Sequence, residues 1–137
     1  MEISDLHVGT VVHFLDDESH DRKYKFSVIV GISDDYFQFA TVYINSNINV
    51  GKINSPILVA LQYEIDSKKY RQFLKWNSYI DCSDLKHRFK GSFLSDLNAT
   101  GKIVGHLNEE DVHNVIDLIC KAETTSPYYL RLYKIGQ

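Results

Sequence analysis

The chain has 137 residues and a mass of 15.8 kDa, with 44% hydrophobic and 24% charged positions. That is the make-up of one compact domain, able to bury roughly two-thirds of its unfolded surface without metal or disulfide staples. Two prolines and seven glycines exclude collagen-like or low-complexity character, and a formal charge of −3 shows none of the basic excess that usually announces a phosphate-binding protein.

The first six residues, MEISDL, are acidic, and no apolar run long enough for a signal peptide or membrane span follows them, so the expected location is the cytosol. Val8 to Leu15 (VGTVVHFL) reads as a first strand. A polar loop leads to Tyr24 to Ile32 (YKFSVIVGI), a strongly apolar second strand. Asp34-Asp35 marks a turn, and Tyr36 to Asn45 (YFQFATVYIN) alternates as a half-buried third strand does, completing a meander. Gly51 to Pro56 is a connection rich in turn formers. Ile57 to Gln62 (ILVALQ) then reads as a fourth strand, Lys68 to Trp76 as a short helical turn and Ser78 to Cys82 as a fifth strand.

The period changes in the last third. After Gly101 to Leu107, the apolar positions Val112, Val115, Ile116 and Ile119 fall on one helical face. Asn108 is suited to cap that helix, because its side-chain oxygen can accept from an unpaired amide, and Glu109, Glu110 and Asp111 sit where the helix dipole favours negative charge. Tyr128 to Ile135 alternates again and reads as an added strand or a packed tail. Antiparallel strands followed by one capped amphipathic helix predict a mainly β, α+β domain over residues 1–137: a small β-barrel or strongly bent sheet with a helix over one end.

Charge is unevenly spread. Residues 1–21 hold six acids and no Lys or Arg, whereas residues 66–90 hold seven basic side chains against three acidic ones. Lys68, Lys69, Arg71, Lys75, Lys86, Arg88 and Lys90 there interleave with Tyr70, Phe73, Trp76 and Tyr79, the composition of a face for single-stranded nucleic acid. The bland reading is a solvated surface with core aromatics between the charges. Cys82 and Cys120 lack Cys-x-x-Cys spacing and read as reduced thiols. His106 and His113 bracket Glu109-Glu110 without the His-Glu-x-x-His spacing, so no metal site is expected. Ser78 with Asp81 or Asp84 lacks a nucleophile elbow, and the glycines form no phosphate loop.

The order of segments resembles a family. Val8-Gly9-Thr10-Val11-Val12 is similar to the opening strand of the MazF/PemK-like toxins. Lys23 to Val30 sits where that family has a basic residue, Arg-Pro and a Val-rich strand, and Thr41 to Ser46 (TVYINS) where it has an apolar strand ending in Pro-Ile-Thr-Ser. Leu74 to Leu85 and Gly101 to Ile119 are similar to its later strand and its closing turn and helix. The resemblance covers residues 7–121. It implies an SH3-like barrel with a capping C-terminal helix, and a toxin of a toxin-antitoxin pair that cleaves single-stranded RNA without metal or cofactor, leaving a 2',3'-cyclic phosphate. Implied partners are RNA, an antitoxin segment and a second copy of the chain.

Carried over by position, the catalytic roles fall on Lys25 and Ser46. Lys25-Phe26 replaces Arg-Pro, exchanging a planar bidentate fork for a point charge, and Asn45-Ser46 replaces Thr-Ser. His20 in the preceding loop is a candidate general base, because an ordinary imidazole titrates near neutrality. Arg22, Lys23, Lys69, Arg71, Lys75 and Trp76 are the expected RNA contacts. The alternative expectation is a catalytically silent SH3-like barrel that binds a peptide or nucleic acid.

Overall fold

A computed structural model describes residues 1–16, 22–48, 51 and 53–136. After a 3-10 turn at Ile3–Asp5, the chain forms β1 (Thr10–Leu15), β2 (Tyr24–Ile32), β3 (Gln38–Asn45), α1 (Pro56–Val59), β4 (Gln62–Ile65), β5 (Ser78–Asp81), β6 (Lys86–Phe89), α2 (Lys90–Thr100), β7 (Lys102–His106), α3 (Glu109–Lys121) and α4 (Pro127–Leu132). The seven strands make an antiparallel open sheet in the order β4-β5-β3-β2-β1-β7, with β6 also paired to β3. The β3 strand serves two partners: Gln38 to Thr41 pair with β6, and Ile44 and Asn45 with β5.

Both faces of the sheet are covered, which explains why β2 reads as a nearly continuous apolar run. On one face Val12, Phe14, Ile29 and Phe39 pack with Leu6 and with Phe93 and Leu97 of α2. On the other, Val11, Val28, Val42, Ile44 and Ile80 pack with Val115 and Ile119 of α3 and with Tyr133 and Ile135. The expected helix is present. Asn108 Oδ1 accepts from the Asp111 amide at 2.8 Å, and Val115 and Ile119 are fully buried. Asp111 is itself buried in the first turn of α3 and accepts hydrogen bonds from the hydroxyls of Tyr63, at 2.6 Å, and Tyr70. Those contacts tie the helix to β4 and to the turns at residues 66–73.

The structure departs from the sequence reading at Ile57 to Gln62, adds two elements, and decides between the two readings of the C-terminal segment. Ile57 to Gln62, expected as a strand, opens instead with α1. Ser55 accepts from the Leu58 amide at 3.2 Å and Pro56 occupies the first helical turn, so capping chemistry overrides β-branched propensity until the strand begins at Gln62. Strand β6 and helix α2 had no sequence counterpart. In β6 the buried residue is Arg88, and α2 has no side-chain N-cap and buries only Phe93 and Leu97. Of the two readings of the segment from Tyr128, the packed tail holds and the added strand does not: it lies in α4 and the turn after it, where Tyr133 and Ile135 join the core. Ser126 caps α4 through the Tyr128 amide at 3.2 Å.

Candidate functional site

The N-terminal end of β2 and the C-terminal end of β3 are neighbours, with Phe26 opposite Ile44. This register brings Tyr24 and Lys25 beside Asn45, Ser46 and Asn47, and the turns at residues 73–76 close one side. Together with parts of β5 and β6 they line a groove of about 1110 Å³. Phe73 is held close because β7 has no side chain at Gly105; a Cβ there would meet the Phe73 ring at 2.8 Å.

Lys25 lies on the groove. Its Nζ donates to Asn45 Oδ1 at 2.6 Å and stands 4.8 Å from the centre of the Tyr43 ring. The ring is fixed from beneath: the Tyr43 hydroxyl donates to Asp16 Oδ2 at 2.7 Å, and Arg88 grips the same carboxylate through Nη1 at 3.0 Å and Nη2 at 2.7 Å. Arg88 Nε also donates to Thr41 Oγ1 at 3.2 Å. Asp16 is fully buried and Arg88 is 5% exposed, so this is a buried ion pair whose charges are matched by a bidentate fork and further hydrogen bonds. Burial, then the hydrogen bond to Asp16 and its charge, push the Tyr43 hydroxyl well above its ordinary pKa, so it stays protonated at neutral pH and anchors rather than exchanges protons. The Asp16 amide donates to the Lys23 carbonyl at 3.0 Å, clamping the chain on either side of residues 17–21.

Five residues expected at the site, Lys23, Lys25, Ser46, Lys75 and Trp76, line this one groove. Trp76 is 59% exposed, so it is a surface ring and not a core one. Arg22, Lys69 and Arg71 are exposed and do not line the groove. His20 lies outside the described residues. Lys86 adds a further ammonium to the groove, 5.6 Å from the Tyr43 ring centre, and Asp81 and Asp84 contribute the opposite sign. Among the described residues the lining carries four lysines and two aspartates. The Asp81 carboxylate is tied down by Gln62 Nε2 at 2.8 Å and by the Ser83 hydroxyl and amide, while Asp84 pairs with Lys86 at 3.0 Å.

Sequence reasoning missed His13, whose imidazole lines the groove and stacks on Phe26 with centroids 4.2 Å apart, Tyr24 lying 5.4 Å away. Partial burial, and then the charge of Lys102, lower its pKa, which favours a neutral imidazole at neutral pH. The available signal was slight: it is the one titratable residue of the TVVHFL strand. Tyr43 and Asp16 gave no local signal, since Asp16 and Arg88 meet across 72 residues of sequence.

Both cysteines are free thiols; Cys82 is fully buried, and burial pushes its pKa up to about 12. Among the described residues no group of three or more His, Cys, Asp or Glu is arranged to hold a metal ion, and no helix is long and apolar enough to cross a membrane. No protein-family model matches the chain, and no curated protein matches it.

Proposed function

We propose that the protein binds single-stranded RNA along this groove and cuts it without a metal, in the manner of the MazF/PemK-like toxins that its motif order resembles. The observation that carries the proposal is the convergence of Lys23, Lys25, Ser46, Lys75 and Trp76, drawn from three separate stretches of sequence, on one lysine-bearing groove with exposed aromatic rings. Lysines track a phosphate backbone, and rings such as Trp76 and Tyr24 accept bases of any sequence by stacking. An SH3-like barrel belongs to the same reading. In its support, bulges interrupt the β1–β7 pairing at Val11/Val12 and the β2–β3 pairing at Ile29/Gly31, and β3 hands over from β6 to β5, as strands do where a small sheet bends sharply.

In the proposed reaction the ribose 2'-oxygen loses its proton to a neutral imidazole and attacks phosphorus. The bond from phosphorus to the 5'-oxygen breaks, and that oxygen takes up a proton, leaving a 2',3'-cyclic phosphate and a 5'-hydroxyl. Lys25 and Ser46 supply the charge and the hydroxyl donor for the phosphoryl oxygens, a role in which one well-placed donor is worth about 3 kcal/mol. His20 and His13 are the two imidazoles to separate by substitution. The proposal places the protein in the cytosol as a homodimer, with an acidic antitoxin segment competing for the lysines.

One observation favours a second reading, binding without cleavage: Lys25 and Asn45, which stand where the resemblance expects Arg and Thr, are hydrogen-bonded to each other. Incubating the purified protein with a long RNA in EDTA and mapping the ends decides between them. The first reading predicts cyclic-phosphate ends that disappear in Lys25→Ala and Ser46→Ala. Intact RNA that is nevertheless bound establishes the second, and RNA neither cut nor bound overturns both.

A further inference from the structure

We infer that Asp81 reads a base of the bound strand: its one unengaged carboxylate oxygen accepts from an exocyclic amine and so favours cytosine over uracil. The inference rests on the RNA-binding reading above and adds a sequence preference to it. Strand β5 lies between β3 and β4, with Asn45 opposite Tyr79 on one side and Gln62 opposite Asp81 on the other. Side chains alternate along a strand, so Asp81 shares the face of Tyr79 and turns away from Ile80, which is buried in the core. Asp81 and Gln62 both line the groove, together with Lys25 and Asn45 from the neighbouring strands.

The carboxylate is fastened through one oxygen. Asp81 Oδ1 accepts from Gln62 Nε2 at 2.8 Å, from the Ser83 amide at 3.1 Å and from the Ser83 hydroxyl at 2.5 Å. Oδ2 has no hydrogen-bond or ionic partner among the described residues, and it is open to solvent. Asp84, the other aspartate of the lining, differs: its charge is met by Lys86 at 3.0 Å. An unpaired carboxylate repels a phosphate backbone, so the contact it can make with a bound strand is with a base. Since Oδ1 already holds the group in place, little ordering remains when the base arrives.

The two pyrimidines offer this oxygen different edges. Cytosine presents the N4 amine, a donor; uracil has a carbonyl oxygen at the same place, and its single N3–H is flanked by two carbonyl oxygens that repel a carboxylate. The rings are of equal size, so stacking on Trp76 or Tyr24 separates them little. Asp81→Asn should reverse the preference rather than abolish it. The Ser83 backbone amide can only donate, so the substituted side chain keeps its carbonyl oxygen at the Oδ1 position and carries its NH2 where Oδ2 was. A donor then faces the base and matches the uracil O4.

The test is the affinity, read by fluorescence anisotropy, for fluorescein-labelled 2'-O-methyl decamers of cytidine and of uridine, which cannot be cleaved. The unmodified protein should bind the cytidine decamer about tenfold more tightly, the share of one charge-assisted base contact. Asp81→Asn should favour the uridine decamer instead. Asp84→Asn removes the same charge from the same lining and should move both affinities together, with their ratio unchanged. A decamer of pyrimidin-2-one nucleotides, which carry hydrogen in place of the amine, puts the question without altering the protein, and it should lose the advantage of cytidine. A ratio that is the same in the unmodified protein and in Asp81→Asn, or a pyrimidinone decamer bound as tightly as the cytidine one, overturns the role of Asp81 and leaves RNA binding standing. A protein that binds none of the decamers at any salt concentration overturns that role together with the reading beneath it.

Discussion

Asp16 and Asp111 are both buried carboxylates, and the protein satisfies them by different chemistry. Asp16 follows β1 and meets a guanidinium from β6; Asp111, in the first turn of α3, accepts from uncharged donors, the hydroxyls of Tyr63 and Tyr70, while its amide donates to the Asn108 cap. At Asp111 the helix N-terminus supplies the favourable potential, so neutral partners suffice. No such dipole aids Asp16, and a full opposite charge compensates it. The Asp111 centre locks a helix onto the sheet and stops there. The Asp16 centre lies directly under the groove and fixes the ring on which Lys25 and Lys86 converge, so its integrity should be felt in binding as well as in folding.

Substitutions can break that comparison in order of size. Arg88→Met fills the same space but takes the guanidinium away from the buried Asp16 carboxylate, and urea unfolding should show a loss of about 3–5 kcal/mol. Asp111→Asn keeps the shape and leaves two tyrosine hydroxyls with poorer acceptors, at an expected cost of about 1–3 kcal/mol. While still folded, Asp111→Asn should bind RNA as the unmodified protein does; a parallel loss of binding would erase the distinction between the two centres. Tyr43→Phe removes the hydroxyl that reaches Asp16 and so unfastens the ring, and stability should fall by about 1 kcal/mol with a measurable loss of RNA affinity alongside it.

The smallest expected effect is a pH dependence. Burial and Lys102 hold His13 below its ordinary value of 6.5, so the folded protein binds the proton less well than the unfolded chain does. The associated stability is complete above 6.5 and is lost as the pH falls through that value toward the folded pKa. Comparison of unfolding midpoints at about pH 7.5 and about pH 5, on either side of the ordinary imidazole pKa, should therefore show a smaller acid loss in His13→Gln than in the unmodified protein. Equal losses would mean that His13 titrates as freely in the fold as outside it.

Local chemistry made some of this architecture legible in sequence. Strand β2 runs from Tyr24 to Ile32 as its apolar composition indicates, and α3 follows from one cap and one periodic face. Helix α1 was masked by Ile57, Leu58 and Val59, whose strand propensity concealed the Ser55-Pro56 start signal. Strand β6 was hidden because its buried position carries Arg88, whose partner lies 72 residues away and leaves no local mark. At the site, residue types and family-like spacing singled out Lys23, Lys25, Ser46, Lys75 and Trp76. The basic 66–90 stretch also included Lys86, but nothing in the sequence supplied Tyr43 or His13, which join the groove only through strand register.

The central claim is that RNA lies in this groove, and the opposite possibility has a definite address. Tyr36, Phe37, Phe89 and Tyr128 are exposed aromatic side chains outside the groove, equally able in chemical terms to meet a base. Photocrosslinking of a 4-thiouridine-substituted single-stranded RNA, followed by mass spectrometry of the adducted peptides, distinguishes the two. Adducts on Tyr24, Phe73 or Trp76 are the predicted result; adducts confined to Tyr36, Phe37, Phe89 and Tyr128 would contradict it.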